Sequence, residues 1–198
     1  MKKQDVAKRA KKIKLVLMDV DGVLTDGHMY HVPGPDGRLV EFKGFHALDG
    51  IGLRLLRVFG IQTGVITGRK SPATEDRARS LCMQYIFMGF LAKIPPYEKI
   101  LAQSGVKPEE VAYIGDDWTD IPVMARIGLA CAPANAVAEV KKKAHYVSRQ
   151  KGGSGAVREI CELILKSQGR WPKIMEMVES GQWDSIPCEN PIVENAHH

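Results

Sequence analysis

The sequence predicts an α/β fold: a doubly wound parallel sheet with helices on both faces and one short β-hairpin projecting from it. Two observations carry that expectation. Short apolar runs, too brief for confident helices, alternate with segments whose apolar residues recur at helical spacing. Several of the runs also end abruptly in acid, threonine or glycine, as strands do when they carry polar groups to the carboxyl edge of a sheet, where ligands bind.

The first run, Ile13 to Met18, leads straight into Asp19-Val20-Asp21-Gly22. In residues 28–43, Met29-Tyr30 and Leu39-Val40 flank Val32-Pro33-Gly34-Pro35-Asp36-Gly37; turn residues between two β-prone runs predict a hairpin flap. From His46 to Phe59, Leu48, Ile51, Leu55, Leu56 and Val58 keep helical spacing, and Gly60 stops the helix. Ile61 to Thr67 is a second buried strand, ending in Thr67-Gly68-Arg69. Ser71-Pro72 supplies an N-cap and a first-turn proline for a helix to Leu81. Tyr85 to Met88 is a third strand, with Lys93 in the loop that follows. A helix over Tyr97 to Ser104 then leads to a fourth strand, Val111 to Ile114, which ends in Gly115-Asp116-Asp117.

Alternation continues with helices over 120–126, 136–143 and 155–167 and strands over 128–131 and 145–147. Beyond Gln168 the pattern weakens. Trp171, Ile174, Met175, Met177 and Val178 allow a turn or two of amphipathic helix, prolines interrupt, and the last ten residues read as disordered. The expected organisation is a flexible basic arm over 1–12, one domain over 13–168 with its flap at 28–43, and a partly disordered tail over 169–198.

A chain of 198 residues that is 44% hydrophobic supports one good core and is short for two. No apolar stretch approaches the roughly 20 residues of a membrane helix, and the amino terminus has no signal-peptide core, so a cytoplasmic protein with no membrane partner is expected. Cys82, Cys131, Cys161 and Cys188 are widely spaced without a C-x-x-C pair, which predicts reduced, packed thiols rather than zinc or disulfides. The net charge of +5 is local: residues 1–14 carry +6 and the remainder −1. No aromatic residue interleaves those lysines, so nucleic acid is not the expected partner.

The strand ends share one sheet edge, which gathers Asp19, Asp21, Thr67 and Asp116, with Lys93 nearby. Asp19 and Asp21 suppress each other's ionisation unless a cation shares them or one keeps a proton. A phosphate ester fits this set. Asp19 can attack phosphorus and split one displacement into two through an aspartyl phosphate, and Asp21 can protonate the leaving oxygen and later deprotonate water. Asp19 and Asp116 offer the oxygen ligands Mg²⁺ prefers, while Thr67 and Lys93 hold and neutralise the phosphoryl group.

D-V-D-G-V-L-T-D-G, I-T-G-R, a lysine, and G-D-D-W-T-D resemble the four motifs of haloacid dehalogenase-type phosphohydrolases (the HAD fold). The resemblance makes Asp19 the nucleophile and Asp21 the acid/base whose backbone carbonyl also ligates magnesium. It places the family's threonine, lysine and metal aspartate on Thr67, Lys93 and Asp116, with Asp117 and Asp120 in supporting positions. Adding the F-x-x-x-D-G-x-G of Phe45 to Gly52 and G-G-S-G-A-V-R-E-I-C, the chain from Ile13 to Gln168 is similar to the 3-deoxy-D-manno-octulosonate 8-phosphate phosphatases. That family implies a Rossmann-like sheet without a separate cap, a homotetramer in which a neighbour covers each active site and the flap packs between subunits, and a role in lipopolysaccharide biosynthesis.

For a sugar-acid phosphate, Arg69 offers a planar fork suited to the carboxylate, and His46 and Asp49 begin the next helix and are further substrate candidates. Gly152-Gly153-Ser154-Gly155 reads either as an anion site at a helix start or as a flexible connection. A receiver domain is set aside because the candidate nucleophile lies within D-x-D on the first strand. A non-catalytic assembly module and a nonulosonate 9-phosphate phosphatase remain as alternatives.

Overall fold

The computed structural model describes residues 3–182 and 190–196. In chain order these form α1 (Lys3–Ala10), β1 (Leu15–Met18), β2 (Tyr30–Pro33), β3 (Leu39–Phe42), α2 (Ala47–Val58), β4 (Gln62–Thr67), α3 (Pro72–Ser80), β5 (Tyr85–Met88), α4 (Ile94–Ser104), β6 (Val111–Ile114), α5 (Ile121–Met124), β7 (Leu129–Ala132), α6 (Ala138–Lys143), β8 (Tyr146–Val147), α7 (Ala156–Ser167), α8 (Trp171–Ser180) and β9 (Ile192–Asn195). Seven strands make one parallel sheet in the order β8-β7-β6-β1-β4-β5-β9. β1 lies at its centre, with Leu15 beside Gln62 on one side and Val111 on the other.

Because both faces are covered, the central strands are apolar throughout rather than alternating. Val16 and Met18 of β1 and Ala112 and Ile114 of β6 point into a core completed by α1, α2, α3, α7 and α8. Leu15, Leu17, Val111 and Tyr113 point the other way, onto α4, α5 and α6. This is the expected doubly wound α/β architecture, and among the described residues no separate cap domain stands over the sheet edge. Among the described residues no helix is long and apolar enough to cross a membrane.

Three expectations about the ends of the chain and its cysteines are corrected. The basic arm is helical over Lys3–Ala10, because Val6 and Ala10 lie four residues apart and bury one face of α1 in the core. The tail is ordered where described: α8 buries Ile174 and Met177, and β9 adds to the free edge of β5, with Tyr85 opposite Ile192. Backbone pairing supplies the order there, and four residues of sequence carry too little periodicity to announce it. Cys131 and Cys161 are free and buried as expected, but Cys82 is disulfide-bonded. Cys188 lies outside the described residues.

β2 and β3 form the expected hairpin, an antiparallel pair turning at Gly34–Arg38. Tyr30 stacks on Phe42 with ring centroids 5.2 Å apart, and Met29, Val32, Leu39 and Val40 are exposed beside them.

Candidate active site

At the carboxyl edge, the end of β1 and the loops after β4 and β6 meet in a cavity of about 300 Å³ lined by residues that include Asp19, Asp21, Thr67, Arg69, Asp116 and Asp117. The strand-end residues expected to converge do so. Asp19 Oδ1 accepts from the Val20 amide at 2.6 Å, and Oδ2 accepts from Lys93 Nζ at 2.6 Å. Lys93 comes in from below at the start of α4, its side chain 1% exposed, and also donates to Asp120 Oδ1 at 2.6 Å. Thr67, the last residue of β4, is buried at the wall.

Asp120 is the hub beneath this surface. Its Oδ1 also accepts from the Tyr113 hydroxyl at 2.8 Å, and its Oδ2 accepts from the amides of Asp116 and Asp117 at 2.9 and 3.2 Å. With both oxygens engaged, Asp120 holds Lys93 and the Asp116 loop in place. Asp117 caps the short 3₁₀ turn at Trp118–Asp120 by accepting from the Trp118 amide at 2.7 Å. Asp116 differs from both, since its Oδ1 is buried and makes no hydrogen bond.

A buried oxygen of that kind needs a partner, and Asp19, Asp116 and Asp120 bring carboxylate oxygens within 4.8 Å of one another. Burial pushes the Asp19 carboxyl up to about 6 against the pull of Lys93, with Asp120 adding to the rise. Burial also raises Asp116 to about 8, reinforced by the charges of Asp19 and Asp120. Hard carboxylate oxygens crowded around an unpartnered one suit a small divalent cation such as Mg²⁺.

The loop that carries Asp21 is held by contacts from far away in the chain. Gly22 has φ +87°, and a Cβ there would lie 2.1 Å from Asp116 Oδ2. Asn135 Nδ2 donates to the Gly22 carbonyl at 2.9 Å, and the Gly152 amide donates to Asn135 Oδ1 at 2.7 Å. A Cβ on Gly152 would lie 1.8 Å from the Gly22 carbonyl oxygen. Gly152 is therefore a close-packed buttress for the Asp21 loop.

Two of the three substrate candidates do not line the cavity. His46 is the N-cap residue of α2, with Nδ1 buried and unpartnered. Asp49 is 1% exposed and accepts from the Arg158 amide in the first turn of α7 at 2.8 Å. Desolvation raises its carboxyl above the ordinary range, opposed by that amide. The D-G-x-G motif thus supplies a cap to a neighbouring helix, because α2 packs along α7. Asp49→Ala is expected to cost about 1–2 kcal/mol, as cap removal does, and to lower the melting temperature by a few degrees with KM unchanged. A raised KM at unchanged stability would return Asp49 to the substrate.

Residues that sequence reasoning missed pair with those lining the cavity. Lys43, just beyond β3, has a side chain 3% exposed and pairs with Asp21 Oδ1, while its Nζ lies 3.7 Å from Glu41 Oε1. Glu41 pairs with Arg69, whose Nε is 3.7 Å from Asp21 Oδ2. Burial acts to raise the Glu41 carboxyl, but Arg69 and Lys43 hold it below the ordinary range. Only the folding of the hairpin onto the sheet edge brings these groups together. Asn135 was reachable in principle, as it follows β7 and so belongs to another strand end.

A carboxylate on the first strand, a buried lysine and an acidic loop, at the carboxyl edge of a parallel sheet, define a hydrolase class. The chain belongs to the haloacid dehalogenase-like hydrolases, whose family profile matches residues 60–160. It is 46% identical over 166 residues to the 3-deoxy-D-manno-octulosonate 8-phosphate phosphatase KdsC of Yersinia pestis, covering 84% of this chain and 87% of that one. The Escherichia coli K12 phosphatase of the same name is 42% identical over 166 residues, covering 84% of this chain and 86% of that one. Among solved structures, the 3-deoxy-D-manno-octulosonate 8-phosphate phosphatase of Moraxella catarrhalis, in complex with magnesium, phosphate and KDO, superposes with TM-score 0.83 at 34% identity. That match covers 88% of this chain and 98% of the other.

Proposed function

We propose that the protein is a Mg²⁺-dependent phosphomonoesterase that hydrolyses 3-deoxy-D-manno-octulosonate 8-phosphate to the free sugar acid and phosphate. The site supports the chemistry. The observation that carries the substrate is likeness to enzymes of that name over 84% of the chain rather than over the motifs alone.

In this reading an Asp19 oxygen attacks phosphorus, and the bond from phosphorus to the sugar oxygen breaks. The departing alkoxide takes its proton from Asp21, leaving an aspartyl phosphate and an ionised Asp21. Water then gives a proton to Asp21 and attacks phosphorus, the bond to Asp19 breaks, and phosphate leaves with both carboxyl groups restored. Lys93 and Thr67 face the charge on the transferring group. Asp19, Asp116 and the backbone carbonyl of Asp21 would hold Mg²⁺, supported by Asp117 and Asp120; the ion supplies charge neutralisation at the phosphoryl oxygens. Arg69 takes the substrate carboxylate, exchanging Glu41 for it.

Because the proton that Asp116 holds below about pH 8 must leave before a cation binds, Mg²⁺ affinity should tighten from pH 6 to pH 8 and level off above. Calorimetric titration checks this, and a flat profile would mean that Asp116 is ionised beforehand. The apolar residues exposed on the hairpin support a homotetramer with the flap between subunits. The product would serve lipopolysaccharide biosynthesis in the cytoplasm.

The deciding experiment compares phosphate release from the eight-carbon ester and from a nonulosonate 9-phosphate. Preference for the first, lost on chelation, is the expected result. Preference for the second moves the protein to another pathway with the mechanism kept. Release from neither would favour an assembly role.

A further inference from the structure

Asp21 is held differently from the other acids of the site. Asp19 accepts from a backbone amide and from Lys93, and Asp120 is saturated by four donors. Among the described residues, the carboxylate of Asp21 has one hydrogen-bond partner, the ammonium of Lys43 on Oδ1. Its Oδ2 is buried and makes no hydrogen bond, with Arg69 Nε 3.7 Å away. Lys43 belongs to no motif of the sheet edge; it arrives because β3 returns from the hairpin tip and ends at Phe42, one residue short of it. A lysine with 3% of its side chain exposed is costly to bury unless carboxylates pair with it. Asp21 and Glu41 supply them, and Arg69 closes the far side of Glu41.

We infer that Lys43 is a positioning residue for catalysis: by occupying Asp21 Oδ1, it aims Oδ2 into the cavity as the oxygen that gives and takes the proton. The hairpin is then part of the catalytic machinery as well as a surface for subunit packing. This rests on the reading of Asp21 as acid/base given above. A displaced Asp21 should damage the two half-reactions unequally. An aromatic leaving group such as p-nitrophenolate departs without a proton, so Asp19 can still be phosphorylated, whereas hydrolysis of the aspartyl phosphate needs Asp21 to take a proton from water.

The test uses the full chain with Mg²⁺ and compares wild type with Lys43→Met. On p-nitrophenyl phosphate, rapid mixing should show one equivalent of p-nitrophenolate released at about the wild-type rate, followed by turnover slowed about 10²-fold, the scale of a misplaced catalytic group. On the sugar phosphate, kcat should fall by a similar factor with KM within about threefold. Loss of the burst together with turnover would show a general collapse of the site and overturn the proposal. Unchanged kcat, or a raised KM at unchanged kcat, would also overturn it, the latter making Lys43 a substrate contact. If Lys43→Met does not fold, Lys43→Arg is read for the same split, since a larger planar cation displaces Asp21; an unsplit loss or no loss overturns the proposal. Wild-type turnover of the aryl ester without turnover of the sugar ester would sink the substrate assignment alone and leave this test intact.

Discussion

Asp19→Asn is expected to lower turnover of any phosphate ester by about 10⁴-fold or more, the scale on which removing a nucleophile acts, while the protein stays folded. The carboxylamide has nearly the volume of the carboxylate but no anionic oxygen to attack phosphorus. It keeps one acceptor where the structure uses two, for the Val20 amide and for Lys93. Lys93 retains Asp120, so no ammonium is stranded. Asp19 is also a desolvated carboxylate that burial already pushes toward its neutral form, which makes a neutral replacement tolerable to the fold. Phosphate release and mass spectrometry of enzyme quenched during turnover check this together: the variant should release none and carry no added phosphoryl group. Residual turnover within a factor of about ten would remove Asp19 from the nucleophile's role.

The second large effect is on stability. Asp120→Ala removes one of the two carboxylate partners of Lys93, the acceptor of the Tyr113 hydroxyl and the acceptor of two backbone amides, all around a residue with no exposed surface. Lys93 keeps Asp19, so the cost comes from weakening its ion pair and from leaving buried donors without an acceptor, at about 1–3 kcal/mol each, and about 3–5 kcal/mol in all is expected. For a domain of this size that lowers the melting temperature by on the order of 10 °C. Activity should fall as well, since the Asp116 loop and Lys93 lose their common anchor. Thermal unfolding followed by fluorescence tests it, and a shift of only a degree or two would mean that water replaces the carboxylate. The contrast with Asp49→Ala is useful, as both acids are buried but only Asp120 lies beneath the cavity.

The chemistry of the site was legible in the chain because it is written at strand ends. Asp19, Asp21, Thr67 and Asp116 each follow or end an apolar run short enough to be read as a strand, and a parallel sheet brings such ends to one edge whatever the loops between them do. The D-G-x-G motif shows the limit of that reasoning. Asp49 begins a helix near the site, so it looked like a substrate contact, and only the packing of α2 on α7 turns its carboxylate onto the Arg158 amide.

By itself, then, the sequence determined the layered fold, the order of its central strands and helices, and the acids, threonine and lysine that meet at the sheet edge. Tertiary structure decided the rest: that α1 docks, that β9 extends the sheet, that Asn135 and Gly152 buttress the Asp21 loop, and that Lys43 reaches Asp21 from the hairpin. The reason is physical. Strand and helix patterns come from burial repeated along the chain, and so leave a period in the sequence. An amide meeting one carbonyl, or an ammonium meeting one carboxylate across a fold, is a single contact between distant residues and leaves no period to read.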